Sequence, residues 1–265
     1  MSDTCTPFAP LGKLWFRCHT PRKQAAIRLL CFPPAGSGAS FYRSWATALP
    51  PSVEVSVVQY PGREDRLSEL CATSMEQLST DIAHAWKAVA DDRPLVLFGH
   101  SMGAAVAFEV AWRLETEGCL AAQLIVSGRP GPSRARQKDV HRREDAALVE
   151  ELRALGGTSE ELLANDKLRA LYLPIFRADF RLIELYTWEV GRTVGCPILV
   201  CIGDHDREVN TKEAQGWADV TRNRFDLETF KGNHFYLVDD KSRLLRRIER
   251  ALVPQNSPTV WPSTP

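Results

Sequence analysis

The chain has no surplus of charge of either sign: 33 lysines and arginines meet 33 aspartates and glutamates over 265 residues. Nucleic acids and anionic membranes call for a basic face, so neither is an expected partner. It has no CxxC pair. Its seven cysteines (Cys5, Cys18, Cys31, Cys71, Cys119, Cys196 and Cys201) are scattered and odd in number, which excludes a disulfide framework and a thiolate zinc site. Several lie in apolar runs, where a free thiol acts as a small hydrophobe and suits a reducing compartment. No apolar run approaches the ~20 residues of a membrane span. The opening "MSDTCTPFAPLGKLWF" lacks the basic-then-apolar layout of a signal peptide. No internal repeat is present. The expectation is a soluble, cytoplasmic, monomeric globular protein, large enough to bury roughly three quarters of its unfolded surface.

What is present is alternation. Short apolar runs read as strands at "LWF" (14–16, an edge strand), "IRLLCF" (27–32), "VEVSVVQY" (53–60), "PLVLF" (94–98), "AQLIVS" (122–127), "CPILVCIG" (196–203) and "FDLETF" (225–230). Helical patterns separate them: near 41–48, from Met75 behind a capping box of Ser74 and Gln77, over 103–118, around 212–220, and over 241–252. This rhythm predicts an α/β fold, a mostly parallel sheet with helices on both faces. Residues 134–188 interrupt it with helical patterns alone, the last one expected to kink at Pro174. The predicted organisation is an N-terminal extension (1–25), a core (26–133 and 189–253), a helical lid insertion (134–188) and a disordered tail (254–265).

"FGHSMG" (98–103) then raises a chemical question. Gly99-His100-Ser101-Met102-Gly103 fits G-x-S-x-G between a strand and a helix, the setting in which a sharp turn lifts a serine above a sheet edge. A serine hydroxyl needs a base and an acid to become a nucleophile. His234, in "KGNHFYL" after the last strand, stands where the chain order Ser–acid–His puts the base. Of the acids in "GDHDREV", Asp206 lies far enough into its loop to reach His234, and Asp204 is expected to shape the turn. A metal set of Asp204, His205, Asp206 and His234 is disfavoured, because adjacent side chains on a turn diverge. The oxyanion of the reaction needs two aimed donors. Met102 N–H is one, and Ala35 N–H in the Gly-rich "CFPPAGSGAS" is the other. That loop lacks the lysine and glycine spacing of a phosphate cradle.

Together "CFPPAG", "QYPGREDRLSE", "FGHSMGAAVAFEVA", "LGGTSEELL", "LPIFRADFRLIELY", "GDHDREV" and "GNHFYL" resemble the type II thioesterases. These are stand-alone α/β-hydrolases that serve polyketide synthases, nonribosomal peptide synthetases and fatty acid synthase. The resemblance runs from about residue 28 to 253, and "PGRxxR" and "LPxxRADF" are specific to it. It implies the α/β-hydrolase fold, a triad of Ser101, Asp206 and His234, and an oxyanion hole at Ala35 and Met102. It also implies acyl or peptidyl carrier proteins as partners, their phosphopantetheine bringing the substrate, and no cofactor or metal. Two departures stand out: "AGSG" replaces the usual "AGG", and Leu70-Cys71 follow the glutamate where prolines are common. Arg63 and Arg66 are expected to pin loops. Leu162, Leu168, Leu171, Leu173, Ile175 and Phe176 are candidates to line an acyl channel, although for any one of them packing between helices is the favoured reading. Arg129, Arg134, Arg136 and Lys138 read as a solvated charge run near the cleft mouth. Rival readings are a carboxylesterase or lipase with the same triad, and a hydrolase-fold binding protein without turnover.

Overall fold

The computed structural model describes residues 9–252. The expected tail, 254–265, and the core's last residue, 253, lie outside them. A helix α1 (Ala9–Trp15) leads into strand β1 (Phe16–Arg17), β2 (Ile27–Phe32), a short helix α2 (Trp45–Ala48) and β3 (Val53–Val58). Next come α3 (Met75–Lys87), β4 (Leu95–His100), α4 (Met102–Thr116) and β5 (Gln123–Ser127). Helices α5 (Asp145–Leu155), α6 (Glu160–Ala164) and α7 (Asp166–Glu184) precede β6 (Ile198–Gly203). The last elements are α8 (Thr211–Ala214), β7 (Phe225–Phe230), α9 (Tyr236–Asp239) and α10 (Lys241–Leu252). The sheet order is β1-β3-β2-β4-β5-β6-β7. Only β1 runs antiparallel to its neighbour, with Phe16 opposite Val58, and β2 to β7 pair in parallel.

The central strands are uniformly apolar because both of their faces are covered. Side chains alternate across the sheet, so Leu30, Phe32, Leu97, Val126 and Val200 join the layer built with α3 and α4. Leu29, Cys31, Phe98, Ile125, Leu199 and Cys201 join the opposite layer with α10. That helix buries Leu244, Leu245, Ile248 and Leu252 on one stripe, each contributing about 1.5–3 kcal/mol. Its outer face pairs Arg247 with Glu228 at 2.7 Å.

Two details differ from the sequence reading, at the N-terminus and at the cap of α3. Leu14 and Trp15 close a helix, and the edge strand begins only at Phe16; Trp15 is buried beneath the Arg66 guanidinium, which stacks 4.3 Å from its ring. At α3 only half of the capping box forms. Ser74 Oγ accepts the Gln77 N–H, but the Gln77 side chain turns to Asp81 instead. Helix α7 runs unbroken through Pro174. Among the described residues, no strand interrupts the segment between β5 and β6.

Candidate active site

Ser101 occupies the turn between β4 and α4, with φ 54° and ψ −117°. Such a backbone is strained by about 1–3 kcal/mol for a non-glycine residue. The surroundings hold it there: Ser101 N–H donates to the Ser127 carbonyl (2.8 Å) and its own carbonyl accepts from Ala104 N–H (3.1 Å). Close approach explains the two glycines. A Cβ on Gly99 would sit 2.1 Å from the Gly103 carbonyl oxygen, and one on Gly103 would sit 2.1 Å from that of Phe32. The helix start is thereby pressed onto the end of β2.

His234 and Asp206 approach from the loops after β7 and β6. The His234 Nδ1–H donates to Asp206, whose carboxylate oxygens lie 2.9 and 3.0 Å away. Both side chains are closed off from solvent. A second donor, Glu208 N–H at 2.8 Å, steadies the carboxylate. This bond fixes the tautomer and leaves Nε2 of His234 as the atom able to take a proton. Asp204 has a different task. Its Oδ1 accepts Gly232 N–H at 2.8 Å and meets the exposed His205 at 2.7 Å, tying the two loops together. The Gly232 N–H, with His205, holds the Asp204 carboxyl below the usual range. The His234 ring lies 4.8 Å from the ring of His100, the residue before Ser101. Among the described residues no hydrogen bond joins Ser101 Oγ to His234, a contact that catalytic sites commonly tighten only once substrate is bound.

His100 itself is a residue whose surroundings the sequence did not disclose. It is wholly buried, and its Nδ1 meets Ser127 Oγ (2.9 Å), which in turn meets the Tyr236 hydroxyl (2.7 Å). Burial, reinforced by His234, pushes its pKa well below the ordinary value, so the ring stays neutral. It forms part of the floor beneath His234.

The donors expected at Ala35 and Met102 share one cavity with Ser101, of ≈ 390 Å³. The loop holding Ala35 is fixed by a node spanning the chain. Gly36 N–H donates to Asp179 Oδ2 (2.8 Å), and Arg63 clasps the same carboxylate with both guanidinium ends, one at 2.9 Å. Arg63 and Asp179 are almost fully buried. Burial alone would lower the Arg63 pKa, but the Asp179 carboxylate outweighs it and the net shift is upward. Gly36 has φ +75°, and an added Cβ would fall 1.9 Å from a Phe176 ring atom, so only glycine fits. Gln59 completes the pinning by accepting Ala39 N–H (2.8 Å) and donating to the Arg63 carbonyl (2.9 Å). Arg66 bonds the Gln59 carbonyl and Glu69. Asp179, from "RADF", is the residue that position along the chain could not assign.

The cavity wall excludes the six channel candidates, and for those in the α5–α7 cluster the packing reading holds. Its α7 residues are Phe180, Ile183 and Glu184, with Tyr186 and Trp188 just beyond. None of the six expected residues borders it. Leu173 and Phe176 pack with Leu148, Val149 and Leu152 of α5, and Leu162 leans on that cluster. Leu171 is exposed. The helix turns one face to the cluster it forms with α5 and α6, and residues one to two turns later face the site. The basic run is mostly paired. Arg136 meets Glu213 at 2.6 Å, Lys138 meets Glu208 at 2.6 Å, and Arg134 lies 4.0 Å from Asp219.

Known proteins resemble this chain over most of its length. A sequence profile of the thioesterase domain matches residues 27–252. A probable cadicidin biosynthesis thioesterase of Streptomyces griseus is 40% identical over 92% of this chain and 67% of its own length. Thioesterase PikA5 of Streptomyces venezuelae is 38% identical over 92% of this chain and 88% of its own. Among solved structures, the type II thioesterase BorB from the borrelidin biosynthetic cluster superposes with a TM-score of 0.84 at 40% identity, covering 90% of this chain and 97% of that one. YbtT, a type II thioesterase from the yersiniabactin pathway, gives 0.81 at 31%, covering 89% and 97%. The fold is that of the α/β-hydrolases, and the chain belongs to the thioesterase family.

Proposed function

We propose that the chain is a type II thioesterase that hydrolyses acyl groups from the phosphopantetheine thioester of carrier proteins in a polyketide or nonribosomal peptide pathway. Ser101 Oγ attacks the thioester carbonyl while Nε2 of His234 takes its proton. Asp206 stabilises the imidazolium and keeps the ring turned. The N–H groups of Ala35 and Met102 receive the oxyanion. His234 then gives its proton to the departing pantetheine sulfur, and water, deprotonated by the same ring, cleaves the acyl-serine. The thiol and the free acid are the products.

One observation supports this reading above the others: an enclosed His234–Asp206 pair lies beside the strained Ser101 turn in a chain of the thioesterase family. The test is hydrolysis of acyl-loaded carrier proteins, monitored by intact mass. Ser101→Ala is expected to abolish release while melting like the parent, and unchanged turnover would rule the mechanism out. Matched thioester and oxoester substrates separate this activity from a general esterase, with the thioester expected to be cleaved faster.

A further inference from the structure

Tyr186 follows the end of α7 and stands where three spaces meet. It borders the cavity of Ser101, a small pocket of ≈ 20 Å³ that Ala105, Phe108 and Trp217 also line, and a cleft of ≈ 420 Å³ that Met75, Leu182 and Leu185 also line. Trp188 borders the first two. The small pocket has room for about one water. The Tyr186 ring leans on the main core and is half-buried. With open space on its other sides, packing alone does not fix its position.

What fixes it is a buried carboxylate. The Tyr186 hydroxyl donates to Glu109 Oε1 at 2.7 Å, its one hydrogen bond among the described residues. Glu109 is 1% exposed and lies on α4, the helix that opens with Met102. Arg113, one turn on, and Arg192, beyond α7, donate to its other oxygen, the latter at 2.6 Å. Arg192 also stacks 3.9 Å from the Trp112 ring, and its carbonyl accepts the Trp188 indole N–H at 3.1 Å. The segment holding Tyr186 and Trp188 is thus stitched to α4 through one carboxylate. Burial, reinforced by Glu109, raises the Tyr186 pKa, so the hydroxyl keeps its proton and remains the donor.

We propose that Tyr186 is a specificity-determining partition, that Glu109 is its positioning residue, and that their hydrogen bond limits the length of acyl chain the Ser101 cavity admits. The proposal rests on reading that cavity as the acyl site. A ring released from Glu109 can swing toward the small pocket or the cleft, and either movement lengthens the cavity. Extra methylenes then enter without meeting a fixed wall.

The test measures kcat/KM for butyryl and octanoyl thioesters of N-acetylcysteamine. Tyr186→Phe removes one oxygen and leaves Glu109 with both arginines. It is expected to raise the octanoyl-to-butyryl ratio about 10-fold over the parent. Glu109→Asp keeps the charge but draws it back by one methylene, and the same rise is expected. In the double variant the ratio should climb no further than in either single one, because both act through one bond. An unchanged ratio in Tyr186→Phe overturns the partition, and so does an equal fall for both substrates. An unchanged ratio in Glu109→Asp, or additive rises, overturns the role of Glu109. Calorimetry with the S-butyl and S-octyl thioethers of N-acetylcysteamine, which cannot be hydrolysed, reads the same question without turnover. Their Kd ratio is expected to move with Tyr186→Phe by the same factor. An unmoved Kd ratio refutes the partition even where the mechanism proposed for Ser101 and His234 fails.

Discussion

Asp179 offers the sharpest test of how helix α7 and the loop after β2, with its proposed oxyanion donor Ala35, depend on each other. Its carboxylate is 1% exposed and serves two donors at once, Arg63 at 2.9 Å and Gly36 N–H at 2.8 Å. In Asp179→Asn the shape is kept but the negative charge is lost, and an amide N–H₂ now faces one of these donors. Arg63, itself 2% exposed, is left as an uncompensated buried charge, which costs about 3–5 kcal/mol. Against a total stability of about 5–15 kcal/mol, that is a large fraction, and at this chain length it lowers Tm by about 10 °C. Urea unfolding at pH 7 measures it directly. Turnover should fall too, by about 10- to 100-fold, because Gly36 loses its anchor and Ala35 N–H loses its aim. The double variant Arg63→Met/Asp179→Leu separates the two effects. With the whole ion pair replaced by apolar groups, stability is expected to return to within about 1 kcal/mol of the parent or above it. Turnover should stay low, since Gly36 N–H still lacks an acceptor. A loss below about 1 kcal/mol in Asp179→Asn, or full activity in a stable double variant, would refute the reasoning.

The elbow and its floor give two further expected outcomes. Ser101→Gly relieves the φ 54° strain and should raise the urea midpoint by the equivalent of about 1–2 kcal/mol while abolishing hydrolysis; a lower midpoint would contradict the strain. His100 has its pKa depressed by burial, so the unfolded chain binds a proton there below about pH 6.5 while the folded chain does not. Its contribution is therefore fully present above pH 6.5 and is lost as pH falls, at up to about 1.4 kcal/mol per pH unit. Urea titrations from pH 7 to 5 should show a shallower decline for His100→Gln than for the parent, and parallel curves would mean that the imidazole is already charged when folded.

Much of this architecture was legible because strands and their ends advertise themselves. Apolar runs such as "LVLFGH" and "ILVCIG" are buried on both faces, and in a parallel sheet the loops leaving the strands all gather at one end. That rule is why Ser101, Asp206 and His234 could be named from three distant positions; the last two lie 2.9 Å apart. The Arg63–Asp179–Gly36 node was not legible in the same way. Its members are separated by up to 143 positions, and an aspartate inside an amphipathic helix gives no sign of facing inward. The cavity wall stayed open for a related reason. Helical periodicity says that Phe176 and Phe180 lie near one face, but not which of them meets α5 and which meets the site. At the N-terminus, "LWF" has a strand's composition, and the turn from helix to strand falls inside it, between Trp15 and Phe16.

The contact between Gly103 and the carbonyls of Phe32 and Pro33 has a mechanical corollary. Phe32 ends the strand from which the Ala35 loop springs, and Gly103 opens the helix whose first turn presents Met102. The two halves of the proposed oxyanion hole are thus bolted at a single joint, backbone against backbone. Thermal softening that loosens the roof will leave the spacing of this cradle intact until the sheet itself gives way.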